Sequence, residues 1–119
     1  MTGNELKAIM ANCYGTEQYY RNPFMKFMFT DGVKTFAENA GAVWLLQEIN
    51  GMIVDNKIMK SPNYLTTIKF VVKDDKGDIL LKNNKKTFKK HISYTDCPEG
   101  EWEFYYDKDA NVLMWCGEY

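Results

Sequence analysis

Histidine, arginine and cysteine are scarce in this sequence of 119 residues, and their scarcity excludes several kinds of site. His91 is the only histidine and Arg21 the only arginine. The three cysteines, Cys13, Cys97 and Cys116, are an odd number without C-x-x-C spacing, so neither a disulfide framework nor a zinc site is expected. We therefore expect no metal, no cofactor and the reduced thiols of a cytoplasmic protein.

Long apolar runs are also missing. The run from Ala40 to Leu46 ends at Gln47, far short of the roughly 20 residues that a bilayer crossing needs. The first residues lack the basic patch and apolar core of a secretory signal. We expect neither a membrane span nor export.

The composition is that of one globular domain covering residues 1–119. Hydrophobic residues make up 45% and charged residues 26%, which excludes disordered, collagen-like and coiled-coil chains. A chain of this length buries roughly two-thirds of its unfolded surface, enough for a core without disulfide or metal.

Residues 1–56 read as mainly helical. Thr2 and Glu5 form a capping-box pattern that opens a first helix. Asp31 is expected to cap a second helix, and the apolar stripe of residues 42–53 predicts a third. Gly51 in that stripe predicts either a close helix contact or an early helix end.

The sequence pattern of residues 16–29 does not indicate one kind of secondary structure, because Asn22-Pro23 interrupts it. We expect a turn or two of helix plus packed loop.

After Pro62 the apolar period changes to two, which predicts strands over residues 64–116. Gly77 is expected to supply a positive φ in the first hairpin turn. The fold class is α+β, with N-terminal helices on one face of a roughly five-stranded antiparallel meander.

Charge is unevenly distributed although the net charge is only -1. Residues 57–90 hold 10 basic and 3 acidic side chains, whereas residues 91–119 hold 1 and 7. Five lysines cluster in nine residues: Lys82, Lys85, Lys86, Lys89 and Lys90. Pairing with Glu101 and Glu103 on a neighbouring strand would neutralise them, whereas free lysines would suit an acidic protein or a nucleotide. The slightly acidic chain disfavours nucleic acid.

The sequence shows no catalytic constellation. P-loop, Gly-x-Gly-x-x-Gly and nucleophile-elbow patterns do not occur. His91 reads as a strand residue, and Cys97 could be activated only within hydrogen-bond reach of it. The carboxylate pairs Asp74/Asp75 and Asp107/Asp109 fall in turns, where Asp is favoured for its turn-forming side chain. We expect a protein that is not an enzyme, with a His91–cysteine enzyme as an alternative.

Aromatic residues form 15% of the chain, more than one small core can hide. Tyr105 is the best candidate for an exposed ring, because alternation places it opposite Trp102 and Phe104. Arg21 directly follows Tyr19 and Tyr20, and the arginine with the two tyrosines could clamp an anion, although a buried ion pair is the stronger reading. Exposed rings would anchor a protein partner or a second copy of the chain, or stack on a base.

Several stretches resemble an uncharacterised family of small bacterial proteins that are often carried on prophages and plasmids. The resemblance lies in GTEQYYR (15–21), FTDGVK (29–34), AENAGAVWLL (37–46), YTD (94–96) and Glu118-Tyr119. The lysine-rich stretch 82–90 departs from that pattern. The resemblance implies no reaction, and it implies a small cytoplasmic protein from a mobile element, a setting in which single-domain inhibitors of host proteins are common.

Together these observations predict a non-enzymatic binding protein, a phage or mobile-element inhibitor that occupies a surface of a host protein. The alternative is a module that sequesters a nucleotide, with lysines for phosphate and an aromatic ring for the base.

Overall fold

Three helices pack on one face of a seven-stranded sheet in the computed structural model, which describes residues 1–119. The helices are α1 (Gly3–Met10), α2 (Asp31–Ala40) and α3 (Val43–Asp55). The strands are β1 (Tyr19–Arg21), β2 (Met28–Thr30), β3 (Leu65–Lys73), β4 (Lys76–Asn83), β5 (Lys86–Ile92), β6 (Gly100–Asp107) and β7 (Val112–Trp115). Two single 3-10 turns, Ile58–Lys60 and Cys116–Glu118, complete the chain. The predicted α+β class is confirmed.

The sheet has two more strands than expected and is not wholly antiparallel. Its order is β1-β2-β7-β6-β3-β4-β5, and β2 pairs parallel to β7. Strands β1 and β2 come from the segment that we expected to be helix and loop. Each has only three residues, too few to show a period of two, and β2 is held by the distant β7, with Met28 opposite Val112.

The helix boundaries follow local capping chemistry. The capping box of α1 is confirmed, since the Glu5 amide donates to Thr2 Oγ1 at 3.1 Å and the Thr2 amide donates to Glu5 Oε1 at 3.0 Å. The prediction that Asp31 caps α2 is wrong by one residue. Thr30 is the cap, because its Oγ1 accepts from the Val33 amide at 3.3 Å.

The two glycine predictions are wrong. Helix α3 continues past Gly51 to Asp55, and no atom of another element comes within 4 Å of where a Gly51 Cβ would lie. A mid-helix Gly costs about 1 kcal/mol, whereas each buried apolar side chain of this helix contributes about 1.5–3 kcal/mol. In the first hairpin Asp74 and Asp75 take the positive φ values, 54° and 61°. Gly77 lies instead within β4, where a Cβ would meet the Phe70 ring at 2.5 Å.

The core lies between the helices and one face of the sheet. Phe36 of α2 is its centre, with ring centroids 5.5 Å from Trp102, 5.0 Å from Phe104 and 6.1 Å from Trp115. The opposite face of the sheet carries charged and half-buried side chains and has no helix over it. None of the three helices is long and apolar enough to cross a membrane.

The Glu118 carboxylate joins the end of β7 to residues 16–32. Glu118 Oε1 accepts from Thr30 Oγ1 at 2.6 Å and from the Trp115 amide at 2.9 Å. Its Oε2 accepts from Thr16 Oγ1 at 3.0 Å and from the Gly32 amide at 3.2 Å. The negative charge therefore lies at the N-terminus of α2, where the helix dipole favours it. Gly32 permits this approach, since a Cβ there would lie 2.4 Å from Oε1.

We predict that Glu118→Ala lowers the free energy of unfolding by about 2–4 kcal/mol, because it leaves the buried Thr30 hydroxyl and two backbone amides without an acceptor. Glu118→Gln should also destabilise the fold, because its NH₂ group would face two donors. Urea unfolding monitored by tryptophan fluorescence measures the change. Glu38→Ala, which removes an exposed i,i+4 pair with Lys34, is the control and should change stability by under about 0.5 kcal/mol. Equal effects of Glu118→Ala and Glu38→Ala would contradict the prediction.

Candidate binding site at the lysine-rich edge strand

Strand β5 is the edge of the sheet and pairs only with β4. Residues directly opposite each other on paired strands share a face. Phe88 lies opposite the buried Leu81, so Phe88 is on the helix-covered face. Lys89 lies opposite Leu80 and is on the uncovered face. The lysines of β5 therefore project on both sides of one open edge.

The lysines of residues 82–90 do not pair with Glu101 and Glu103. Those two glutamates lie on β6, which is separated from β5 by β3 and β4, and Glu103 is opposite Lys69. The meander that we expected breaks here, because after β5 the chain crosses to the far side of β3. The predicted neutralisation by a neighbouring strand is therefore wrong.

Local acids neutralise two of the lysines. Lys89 Nζ is 3.8 Å from Asp78 Oδ1, and Lys90 forms an ion pair with Glu48 of α3. Lys82, Lys85 and Lys86 are exposed and form no ion pair.

Two adjoining clefts flank β5, between this strand and the segment that runs from α3 through the first 3-10 turn. We call them together the edge groove. Their volumes are about 450 and 430 Å³, and they share Asn56 and Phe88. The first cleft has no acidic lining residue, and the second contains Glu48 and Asp55. The lysines that line the groove are Lys57, Lys60, Lys85, Lys86, Lys89 and Lys90.

A buried amide holds the wall of the groove in place. Asn83, only 4% exposed, accepts from Ser61 Oγ at 2.6 Å. Its Nδ2 donates to Thr66 Oγ1 at 2.9 Å and to the Asn63 carbonyl at 3.2 Å. All these groups are paired, so the end of β4 is firmly attached to the segment that follows the 3-10 turn. The backbone segments that form the two walls of the first cleft are thereby joined.

Tyr105 lies on the face that alternation predicted, but its ring is not free. The Tyr119 ring covers it at a centroid distance of 4.9 Å, and the Tyr119 and Tyr64 hydroxyls are 3.3 Å apart. The most exposed aromatic rings are those of Tyr14, Phe24 and Tyr94, at 80%, 80% and 70%. They lie outside regular elements, where no period indicates a face, so sequence reasoning missed them.

The buried ion pair expected for Arg21 is wrong, whereas the anion clamp stays a prediction. Arg21 is exposed and forms no ion pair. The Tyr20 ring stacks on Phe29 at 5.8 Å, and its cationic neighbour is Lys34, with Nζ 4.7 Å from the ring centroid. Adjacent residues of β1 project to opposite faces, which separates Tyr20 from Arg21.

His91 and Cys97 lie in different environments. His91 is exposed, and its Nδ1 is 2.9 Å from Asp78 Oδ1, an interaction that lowers the pKa of the Asp78 carboxyl. Cys97 is buried, and burial, reinforced by the charge of Asp96, raises the pKa of its thiol to about 12. A thiol in this state is a poor nucleophile, and neither residue lines the edge groove.

We predict that Cys97 resists alkylation in the folded protein. At pH 8 a thiol with a pKa of about 12 is ionised in on the order of one molecule in ten thousand. Iodoacetamide labelling followed by peptide mass spectrometry should modify the half-buried Cys13 and Cys116 first and Cys97 only after unfolding in urea. Labelling of native Cys97 at the rate of a free thiol would contradict its placement in the core.

Comparison with known proteins gives a family but no activity. A family model described as "Family of unknown function (DUF6876)" matches residues 4–119. Searches of curated proteins and of solved structures found no match. Because the matched residues include the helices, all seven strands and the edge groove, the chain belongs to DUF6876, a family of unknown function.

Proposed function

We propose that this protein is a non-enzymatic binding protein that covers an acidic surface of a larger protein with its lysine-rich edge. The observation that carries the proposal is the charge of this edge. Of its seven lysines, which are Lys82 and the six of the edge groove, only Lys89 and Lys90 form ion pairs within the chain. The other five keep their full charge for a partner.

The charge distribution also supports this role. The acidic residues of β6 are separated from the lysine-rich edge by β3 and β4, so they leave the charge of that edge uncompensated. A charge-separated protein is oriented by the field of its partner during approach, which raises the association rate. At physiological salt this attraction acts over about 8 Å, so binding should weaken as salt increases.

The mobile-element context implied by the sequence resemblance supports an inhibitor. A protein that blocks a host protein by covering its surface needs a stable scaffold and a complementary face, and it needs no reactive group. The buried state of Cys97 agrees with a role that does not use this thiol as a nucleophile. The partner in this proposal is a cytoplasmic host protein with an acidic surface.

We predict that reversing four lysines of the edge, in the variant Lys82→Glu, Lys85→Glu, Lys86→Glu, Lys89→Glu, weakens partner binding at least 10-fold. Each reversal removes the attraction between a lysine and the acidic surface of the partner and replaces it with repulsion. The matched control reverses four exposed lysines elsewhere: Lys26, Lys34, Lys73 and Lys76. Both variants have the same net charge, so any difference reports position rather than total charge.

The measurement has two steps. Cross-linking from bacterial lysate with wild type and both variants identifies proteins that only wild type and control capture. Titration calorimetry with the purified partner at two salt concentrations then gives the affinities. Equal capture by the edge variant and the control, or binding that is insensitive to salt, would refute the proposed surface.

A second function is favoured by the first cleft of the edge groove. Its volume of about 450 Å³ is that of a small-ligand site, and it places Phe88 near Lys57, Lys60, Lys85 and Lys86. These are the groups that would hold a nucleotide, with the ring against the base and the lysines on phosphate.

Thermal denaturation with a panel of nucleotides separates the two functions. A nucleotide at 100 times its dissociation constant would add about 2.7 kcal/mol to the stability. We expect no such increase with any nucleotide at millimolar concentration. An increase that Lys85→Glu with Lys86→Glu abolishes would favour the nucleotide module over the protein-binding role.

A further inference from the structure

We infer that the partner contributes an extended acidic segment that adds to the sheet as an eighth strand along the free edge of β5. This inference rests on the proposed function and specifies how the acidic partner is held. It is carried by three observations: an unpaired strand edge, the groove beside it, and the unpaired Lys82, Lys85 and Lys86 near the start of this strand.

The free edge of β5 offers backbone hydrogen bonds. Residues Lys86–Ile92 pair with β4 on one side only, and no hydrogen bond from outside the β4–β5 ladder reaches their backbone. In an antiparallel pair, alternate residues direct their N–H and C=O groups away from the partner strand. These outward groups can bind a further strand. The opposite edge of the sheet, β1, has only three residues and offers far less.

The edge groove provides room for the side chains of an added strand. Seven residues of β5 extend about 23 Å, and the two clefts that make up the groove both border this strand. Side chains on the helix-covered face of the added strand would enter the groove. There they would meet the apolar atoms of Phe88 and Met52, with Lys86 and Lys90 beside them. Glu48 and Asp55 also line the second cleft, so apolar rather than acidic side chains are favoured in that cleft.

The lysines determine which strand can bind. Lys86 lies on the helix-covered face of β5 and forms no ion pair, and neither do the nearby Lys82 and Lys85, whereas Lys89 and Lys90 already pair with Asp78 and Glu48. Like charges directly opposite each other on paired strands are destabilising, so a second copy of β5 is repelled. Lysine on an edge strand ordinarily protects against unwanted pairing. The same lysines would attract an acidic segment, so an acidic strand is the one class of strand that they favour at this edge.

The test uses the wild-type protein and three synthetic peptides with blocked ends. The first alternates glutamate and valine over seven residues. The second has the same sequence with alternate backbone nitrogens methylated, which keeps the charge and removes main-chain donors. The third replaces glutamate by lysine. NMR titration of the ¹⁵N-labelled protein gives the affinities, and hydrogen exchange reports protection of the β5 amides.

We expect the first peptide to bind, to shift the resonances of residues 86–92 and to protect outward-facing β5 amides. Backbone methylation should weaken binding at least 10-fold, and the lysine peptide should not bind. The variant with Lys82, Lys85, Lys86 and Lys89 reversed should lose binding of the first peptide, whereas the control with reversed Lys26, Lys34, Lys73 and Lys76 should retain it.

Three results would overturn strand addition. Equal binding of the methylated and unmethylated peptides would show that charge alone acts, and the proposed function would still stand. Absence of binding by the first peptide at millimolar concentration would also refute strand addition. The proposed function is tested separately, by the lysine-reversal experiment with the purified partner. Tighter binding of a single-stranded oligonucleotide to the same residues would assign the edge to nucleic acid instead.

Discussion

The Glu118 carboxylate is the interaction on which the architecture depends. It joins the segment before β1, the end of β2, the start of α2 and the end of β7 through four hydrogen bonds. This connection keeps β7 beside β2, so the last strand pairs in parallel with an early one. The residues involved are Thr16, Thr30, Gly32 and Glu118, and Glu118 is distant in sequence from the other three and meets them only in the folded chain.

The strand order has a consequence for function. Because β6 and β7 pair on one side of β3, strands β4 and β5 are left on the other side, and β5 becomes a free edge. The basic and acidic segments of the chain are separated across the sheet by the same order. Topology, and not any single residue, produces a lysine-rich edge with a groove beside it and separates the acidic residues of β6 from that edge by two intervening strands. The proposed binding role and its strand-addition mode both depend on this arrangement.

The site residues predicted from the sequence had mixed outcomes, for identifiable reasons. The lysine cluster was visible because its members are neighbours in sequence, but its freedom from Glu101 and Glu103 depended on strand order. Alternation correctly placed Tyr105 on the uncovered face, yet Tyr119 covers its ring. The edge groove could not be predicted, since its walls come from α3, the first 3-10 turn and β5, which are far apart in sequence.

Local sequence patterns are sufficient to predict the α+β class, the capping box of α1, the stripe of α3 and the hairpin positions, because these depend on residues a few positions apart. Long-range packing is needed to establish the parallel β2–β7 pair, the strands at residues 19–30 and the open edge at β5. Each of these depends on which distant segments pack together. A three-residue strand forms only because another strand supplies its hydrogen bonds, and the local sequence pattern does not indicate which segment that strand is.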